Sequence, residues 1–342
     1  MIMNPKKYYI LILLLFILYS CGENANKGKQ VENNTDTTIS YIEKINKSIK
    51  SDSLNSELYN ERSRFYLENS NLNKALKDIN RAIQLSPENS DLFVTLSDIY
   101  LVQNKLKQSV EALDKAISID KNNYVAFARM SRILIISGQF EDAVNYISQG
   151  RSINPEEAEF YFLYGYLKVL QGDTATAVQN LLVSSEKSSD YLDPVLLLAG
   201  IYENKGNPMT VDFYKRALEI DPENQGAYYS LGFYYQNNER LDEAEAMYNR
   251  LLDLNPDNKF AYYNLAYINL VYHKDFSVAA EYFNRVIEID PNYVDALFNL
   301  GYSYELQNNP GEARIWYNKA LEVQANYNNA VIGLNRLDNF SN

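Results

Sequence analysis

Three segments of the chain align residue for residue, apart from one extra residue in the second. They are LGFYYQNNERLDEAEAMYNRLLDLNPDN from Leu231, LAYINLVYHKDFSVAAEYFNRVIEIDPNY from Leu265 and LGYSYELQNNPGEARIWYNKALEVQANY from Leu300. Their period is 34, and the same frame gives repeats starting at Ser56, Ser90, Tyr124, Ala158, Leu192, Gln225, Lys259 and Val294. The fifth repeat is one residue short around Gly206-Asn207-Pro208, and the seventh is one long around Tyr272 to Phe276. A period of this size fits one supersecondary unit that buries its apolar face against its neighbours, so that stability becomes a sum of repeat and neighbour terms.

Residue sizes recur within the frame. Position 8 is small in every repeat: Ser63, Ser97, Ser131, Gly165, Ala199, Gly232, Ala266 and Gly301. Position 20 is small as well: Ala75, Ser109, Ala143, Ala177, Thr210, Ala244, Ala279 and Ala313. Position 27 is looser, and large residues fill positions 4, 7 and 24, as in Tyr228, Leu231 and Tyr248. Pro87, Pro155, Pro222, Pro256 and Pro291 recur late in the frame, where a missing N–H and a fixed φ stop a helix. Lys121, Ser189 and Ala325 replace that proline in three repeats.

This pattern resembles the tetratricopeptide repeat over nearly all of residues 38–340. The resemblance implies two antiparallel helices per repeat, crossing closely where the small residues meet. The expected fold is all-α: a right-handed superhelical solenoid of about eight helix-turn-helix repeats with capping helices at both ends. Thr38 to Lys50 is expected to be the second helix of a preceding half-repeat, and Asn329 to Leu337 the C-terminal cap.

Composition narrows the function. With 46% apolar residues in 342, the chain is not disordered. One Cys excludes an internal disulfide framework and a multi-Cys zinc site, and one His argues against a His-based metal site or triad. There is no P-loop, GxSxG or HExxH motif. A formal net charge of −12 gives no electrostatic case for nucleic acid. The expectation is a protein with no cofactor, no metal and no catalytic residues. His273 reads as a surface residue and Trp316 as packing near the cap. The run Asp242-Glu243-Ala244-Glu245 suits the dipole at a helix N-terminus.

The first 37 residues read as an address and a tether. Met1 to Ser20 carries Lys6 and Lys7 ahead of an uncharged run from Tyr8 to Tyr19, too short to span a bilayer comfortably. Leu18-Tyr19-Ser20-Cys21-Gly22 then resembles the lipobox of bacterial lipoproteins, with an atypical Tyr19. The resemblance implies a signal peptide over 1–20 and lipidation at Cys21. Gly22, by the same resemblance, favours the outer membrane. Residues 21–37 form a polar linker, and a coil of that length reaches roughly 20–24 Å.

In this family the first helices line a concave surface at positions 2, 5, 9, 12 and 13. Positions 5 and 9 give Phe162 and Tyr166, Tyr229 and Phe233, Tyr263 and Tyr267, and Phe298 and Tyr302, interrupted by Leu196 and Gly200. Rings at i, i+4 in successive repeats would form a ladder that binds a protein or peptide segment. The five positions also carry Glu57, Glu68, Asp91, Asp98, Glu159, Asp193, Glu203, Asp295 and Glu305 against Arg64 and Arg132. An acidic, aromatic groove suits a neutral or basic segment. The reading is a non-enzymatic, membrane-anchored scaffold of the bacterial envelope. Two alternatives stand beside it: a surface glycan-binding lipoprotein, and an assembly factor for a secretion, motility or pilus machine.

Overall fold

A computed structural model describes residues 35–340. The expected signal peptide, the expected lipidation site Cys21 and most of the expected linker lie outside the described residues. Within them are eighteen α-helices and no strand. A first helix, α1 (Thr35–Ser51), precedes the repeats. The first helices of the eight repeats are α2 (Ser56–Glu68), α4 (Ser90–Val102), α6 (Tyr124–Ile136), α8 (Ala158–Leu170), α10 (Leu192–Asn204), α12 (Gln225–Asn237), α14 (Lys259–Ile268) and α16 (Val294–Leu306). Their partners are α3 (Leu72–Leu85), α5 (Leu106–Ile119), α7 (Phe140–Ile153), α9 (Thr174–Lys187), α11 (Met209–Ile220), α13 (Leu241–Leu254), α15 (Phe276–Ile289) and α17 (Pro310–Val323). The last helix is α18 (Asn328–Phe340).

Local chemistry sets these boundaries. Asn55, Asn89, Asn123, Asn224 and Asn258 stand at N-caps and accept from backbone N–H groups of the first turn. Each first helix is followed by one left-handed residue: Ser70, Asn104, Gly138, Gly172, Gly206, Glu239, Lys274 and Asn308. At the first of these corners the N–H of Asn71 returns to the carbonyl of Tyr66 at 2.7 Å, closing the helix end. The extra residue of the seventh repeat is absorbed before its corner, as a π-turn over Asn269–His273. The missing residue of the fifth falls at the start of its second helix, where Pro208 stands at the N-cap and the helix begins late, with 12 residues where the others have 14.

The chain forms two compact units that divide after Leu198. Both bury their small positions completely: Ala75, Ala143 and Ala177 in the first and Ala244, Ala279 and Ala313 in the second are 0% exposed. They differ at position 24, the large side chain wedged into the helix crossing. The first unit uses aliphatic residues, Ile79, Leu113, Ile147 and Leu181, whereas the second uses rings, Tyr214, Tyr248, Phe283 and Tyr317. The rings explain the glycines opposite them. A Cβ on Gly232 would sit 2.8 Å from Tyr248, and one on Gly301 would sit 2.8 Å from Tyr317.

A buried tyrosine hydroxyl needs an acceptor. Position 12 supplies it. Tyr214 donates to Glu203 at 2.7 Å, Tyr248 donates to Gln236 at 2.9 Å, and Tyr317 donates to Glu305. Where position 24 is Phe283, position 12 is the buried, apolar Leu270. In the first unit, where position 24 never carries a hydroxyl, position 12 is Leu67, Leu101, Ile135 and Val169.

Candidate partner-binding surface

In the first unit, position 9 alternates in charge along successive first helices, as Arg64, Asp98 and Arg132. These side chains join a dense ionic cluster. Arg129 lies 3.3 Å from Asp98 and 3.3 Å from Glu159, and Arg132 reaches Glu159 at 2.6 Å. Arg64 donates to Thr95 at 3.3 Å. Burial raises the pKa of Asp98 and of Asp193 against the pull of the arginines. Burial acts on Glu159 in the same sense, but Arg132 and Arg129 overcome it and hold its carboxyl below the usual range. Phe162 and Tyr166 stack at 6.1 Å and are 1% and 8% exposed. This first pair of the expected ladder is part of the core beside Arg132 and is not open to a partner.

The second unit carries the remaining six ring positions on α12, α14 and α16. Tyr229 and Phe233 stack at 6.4 Å and Phe298 and Tyr302 at 6.1 Å, each pair within 5° of parallel. The position-5 rings are tied down on their far side. Tyr229 meets Tyr248 at 6.3 Å, Tyr263 meets Phe283 at 5.6 Å and Phe298 meets Tyr317 at 5.5 Å. They also meet the start of the next repeat: Tyr263 packs on Tyr293 at 5.3 Å and Phe298 on Tyr327 at 5.8 Å. Tyr293 occupies an N-cap without making a side-chain cap bond. That site has a ring contact in place of the N-cap hydrogen bond. Position 9 is freer. Phe233 and Tyr302 are half-buried and Tyr267 is exposed, with the exposed side chains of Phe260, Val271 and Tyr272 on the same helix and its π-turn. Tyr267 and Tyr272 meet edge to face at 6.5 Å.

Most of the carboxylates expected to line the groove are engaged by the chain itself. Glu57 accepts from Asn89 at 2.7 Å, Asp91 from Asn123 at 2.7 Å and Asp295 from Tyr327 at 2.6 Å. In each case a position-2 acid bonds the side chain that precedes the next first helix. Glu203 and Glu305 serve the tyrosines at position 24, and Arg336 of α18 also reaches Glu305 at 2.8 Å. Asp98 and Glu159 belong to the arginine cluster. The acidity of these seven positions is therefore satisfied structurally, and the count of groove charges overstates what a partner meets. Sequence reasoning missed the 12–24 pairs, although the covariation of Tyr with Glu or Gln, and of Phe with Leu, was present in the letters.

His273 bonds Glu245 at 2.7 Å on the surface. No cluster of three or more metal-ligating side chains exists among the described residues, and no described helix is long and apolar enough to cross a membrane.

Comparison with known proteins agrees with this architecture. Two tetratricopeptide-repeat families match residues 211–266 and 268–330, and the ChAPs family (Chs5p-Arf1p-binding proteins) matches residues 29–156. No curated protein matches the chain. Among solved structures, the C-terminal part of a TPR repeat-containing protein from Cytophaga hutchinsonii is similar at 19% identity. That match covers 70% of this chain and 98% of the other, with a TM-score of 0.61. A chain of the APC/C hetero-tetramer Cut9-Hcn1 is 18% identical over 78% of this chain and 52% of the matched one, with a TM-score of 0.55. A human IFIT1 dimer with PPP-AAAA is 16% identical over 82% and 68%, with a TM-score of 0.53. The 34-residue frame, the paired helices and these matches together make the chain a tetratricopeptide-repeat protein.

Proposed function

We propose that the protein is a non-enzymatic adaptor of the bacterial envelope, held to the outer membrane by lipid on Cys21, whose second unit binds a protein segment through the position-9 rings of α12, α14 and α16. Repeats of this family generally mediate protein–protein contact. The observation that carries the reading is the arrangement of Phe233, Tyr267 and Tyr302, each stacked on or following a ring packed into the core, with Tyr267 exposed among further apolar side chains. Rigid aromatics of this kind bury large area at little entropic cost, and exposed apolar patches mark interaction sites.

The test is a crosslinked pull-down from envelope extract with the full chain as bait. The comparison bait changes Phe233, Tyr267 and Tyr302 to Ala, leaving the packed Tyr229, Tyr263 and Phe298 untouched. A protein held by the wild-type bait and lost from a variant with an unchanged melting temperature supports the surface; equal capture by both rejects it. The anchor has its own check. Cys21→Ser is expected to move the protein out of the detergent-partitioning fraction, and continued membrane association would reject lipidation.

A further inference from the structure

Charge is unevenly placed along this chain. Residues 1–85 carry 12 Lys and Arg against 9 Asp and Glu, whereas residues 86–342 carry 20 against 35. The exposed cations of residues 35–85 all lie on α1 and α3. Lys44, Lys47 and Lys50 recur every third residue along α1, a spacing that keeps them on one face, and Lys74 and Lys77 hold the same spacing on α3.

The acids that would offset them are few or already engaged. Asp78 is the one acid of α3; it is 5% exposed and accepts from Arg62 of α2 at 2.6 and 2.7 Å. Arg62 also donates to Asn46 of α1 at 2.7 Å, so one guanidinium joins α1 to α3. Glu43 is the exposed acid among the described side chains of α1. None of the five lysines enters an ion pair among the described residues, whereas Lys107, Lys187 and Lys259 farther along each lie on a carboxylate. Lys74 sits over the ring of Tyr66 at 5.2 Å, which leaves its charge unneutralised. Four residues past Lys50, Leu54 is 72% exposed, the most of any large apolar side chain among the described residues. Such a side chain has a place in a lipid headgroup layer. Thirteen residues separate Cys21 from Thr35, the first residue of α1. Fully extended they span at most about 50 Å, so α1 begins within that distance of any lipid on Cys21.

We infer that the lysine face of α1 and α3 rests on an anionic membrane surface, its ammonium groups meeting phospholipid phosphates. Attraction of this kind falls off within a Debye length, and a cluster of about four to eight cations beside a membrane attachment is the size that holds anionic lipid. Lipid on a cysteine keeps the chain at the membrane without choosing which side of the first unit faces it. The lysine face makes that choice. The inference takes its setting from the anchor proposed above and is independent of the aromatic surface of the second unit.

Lysine acetylation footprinting by mass spectrometry tests it, with the full chain on vesicles of phosphatidylcholine alone or with phosphatidylglycerol added. Phosphatidylglycerol should slow acetylation of Lys44, Lys47, Lys74 and Lys77 at least threefold, leave the exposed Lys205 and Lys215 of the second unit unchanged, and lose its effect at high salt. Lys74→Glu combined with Lys77→Glu should return Lys44 and Lys47 to their rate on neutral vesicles; both changed positions are exposed, so the core is left alone. Equal rates on the two vesicle types, or protection confined to Lys27 and Lys29, would overturn the assignment. Flotation of the same samples reads the anchor separately. A chain that floats with neutral vesicles but gains no protection from phosphatidylglycerol keeps the anchor and loses the face. One that floats only with anionic vesicles, its four lysines protected, keeps the face and loses the anchor. One that floats with neither loses both.

Discussion

The two units of this protein use one frame and fill it with different chemistry. In the first, the helix crossings hold Ile79, Leu113, Ile147 and Leu181, and the polar side chains of α4, α6 and α8 knit into an ionic cluster around Arg129, Arg132 and Glu159. In the second, the crossings hold Tyr214, Tyr248, Phe283 and Tyr317, each hydroxyl is matched to an acceptor at position 12, and rings stack along the first helices. The repeat specifies size at each position and leaves polarity open, provided that every buried polar group finds a partner within reach. An aliphatic crossing needs no partner at position 12. A tyrosine crossing needs one, and a glycine or alanine at position 8 as well.

The comparison can be broken most sharply at Glu159. Removing Glu159 takes from Arg132 the carboxylate it reaches at 2.6 Å and leaves Arg129 with Asp98 as its remaining ion pair, and breaking a largely buried pair by removing one partner costs about 3–5 kcal/mol. Glu159→Leu should therefore collapse hydrogen-exchange protection over residues 124–170 and leave protection in residues 225–340 at its wild-type level. Unchanged protection in the first unit would mean that the cluster is a surface decoration.

The second unit has the milder counterpart. Tyr248→Phe strands the buried Gln236 acceptor and should cost about 1–3 kcal/mol by denaturant titration. Adding Gln236→Leu recreates the Phe and Leu combination of the seventh repeat and should recover most of that loss. A double variant no better than the single one would show that positions 12 and 24 are not coupled.

Acidification gives the smallest effect and separates the units by sign. Asp98 and Asp193 have raised folded pKa values, so their ionised forms oppose folding at neutral pH, and protonation relieves that penalty as pH falls through those values. Glu159 and Glu305 have lowered folded values, so their contributions are complete above the ordinary glutamate pKa and are lost only on further acidification. From neutral down to roughly pH 4.5, the first unit should hold or gain exchange protection while the second does not gain. A first unit that loosens ahead of the second in that window would contradict the assignment of its buried acids.

Much of this fold is legible in the letters. The small residues at positions 8 and 20 announce close helix crossings, and the first helices begin at Ser56, Ser90, Tyr124 and onward at the starts of the frame. The surface is less legible, because the residues at positions 2, 5 and 12 serve two masters. Glu305 looks like a groove carboxylate until Tyr317 and Arg336 are placed beside it, and both are brought to it from other helices. Phe162 looks like a rung of the ladder until Tyr191 closes over it at 5.4 Å. Which face a helical residue serves depends on the reach of side chains 10 to 30 positions away, and single-residue type does not encode that reach.

The π-turn of the seventh repeat has a bearing on how such arrays change length. Its inserted residue is spent within Asn269–His273, the corner closes on Lys274, and Phe276–Ile289 then runs the full 14 residues with Ala279 and Phe283 in their usual buried places. An extra residue there shifts no side chain off its proper stripe downstream, because the phase error is cancelled before the second helix starts. This corner is accordingly the place where the array can take in a loop, a tag or a reporter peptide without re-indexing the downstream repeats.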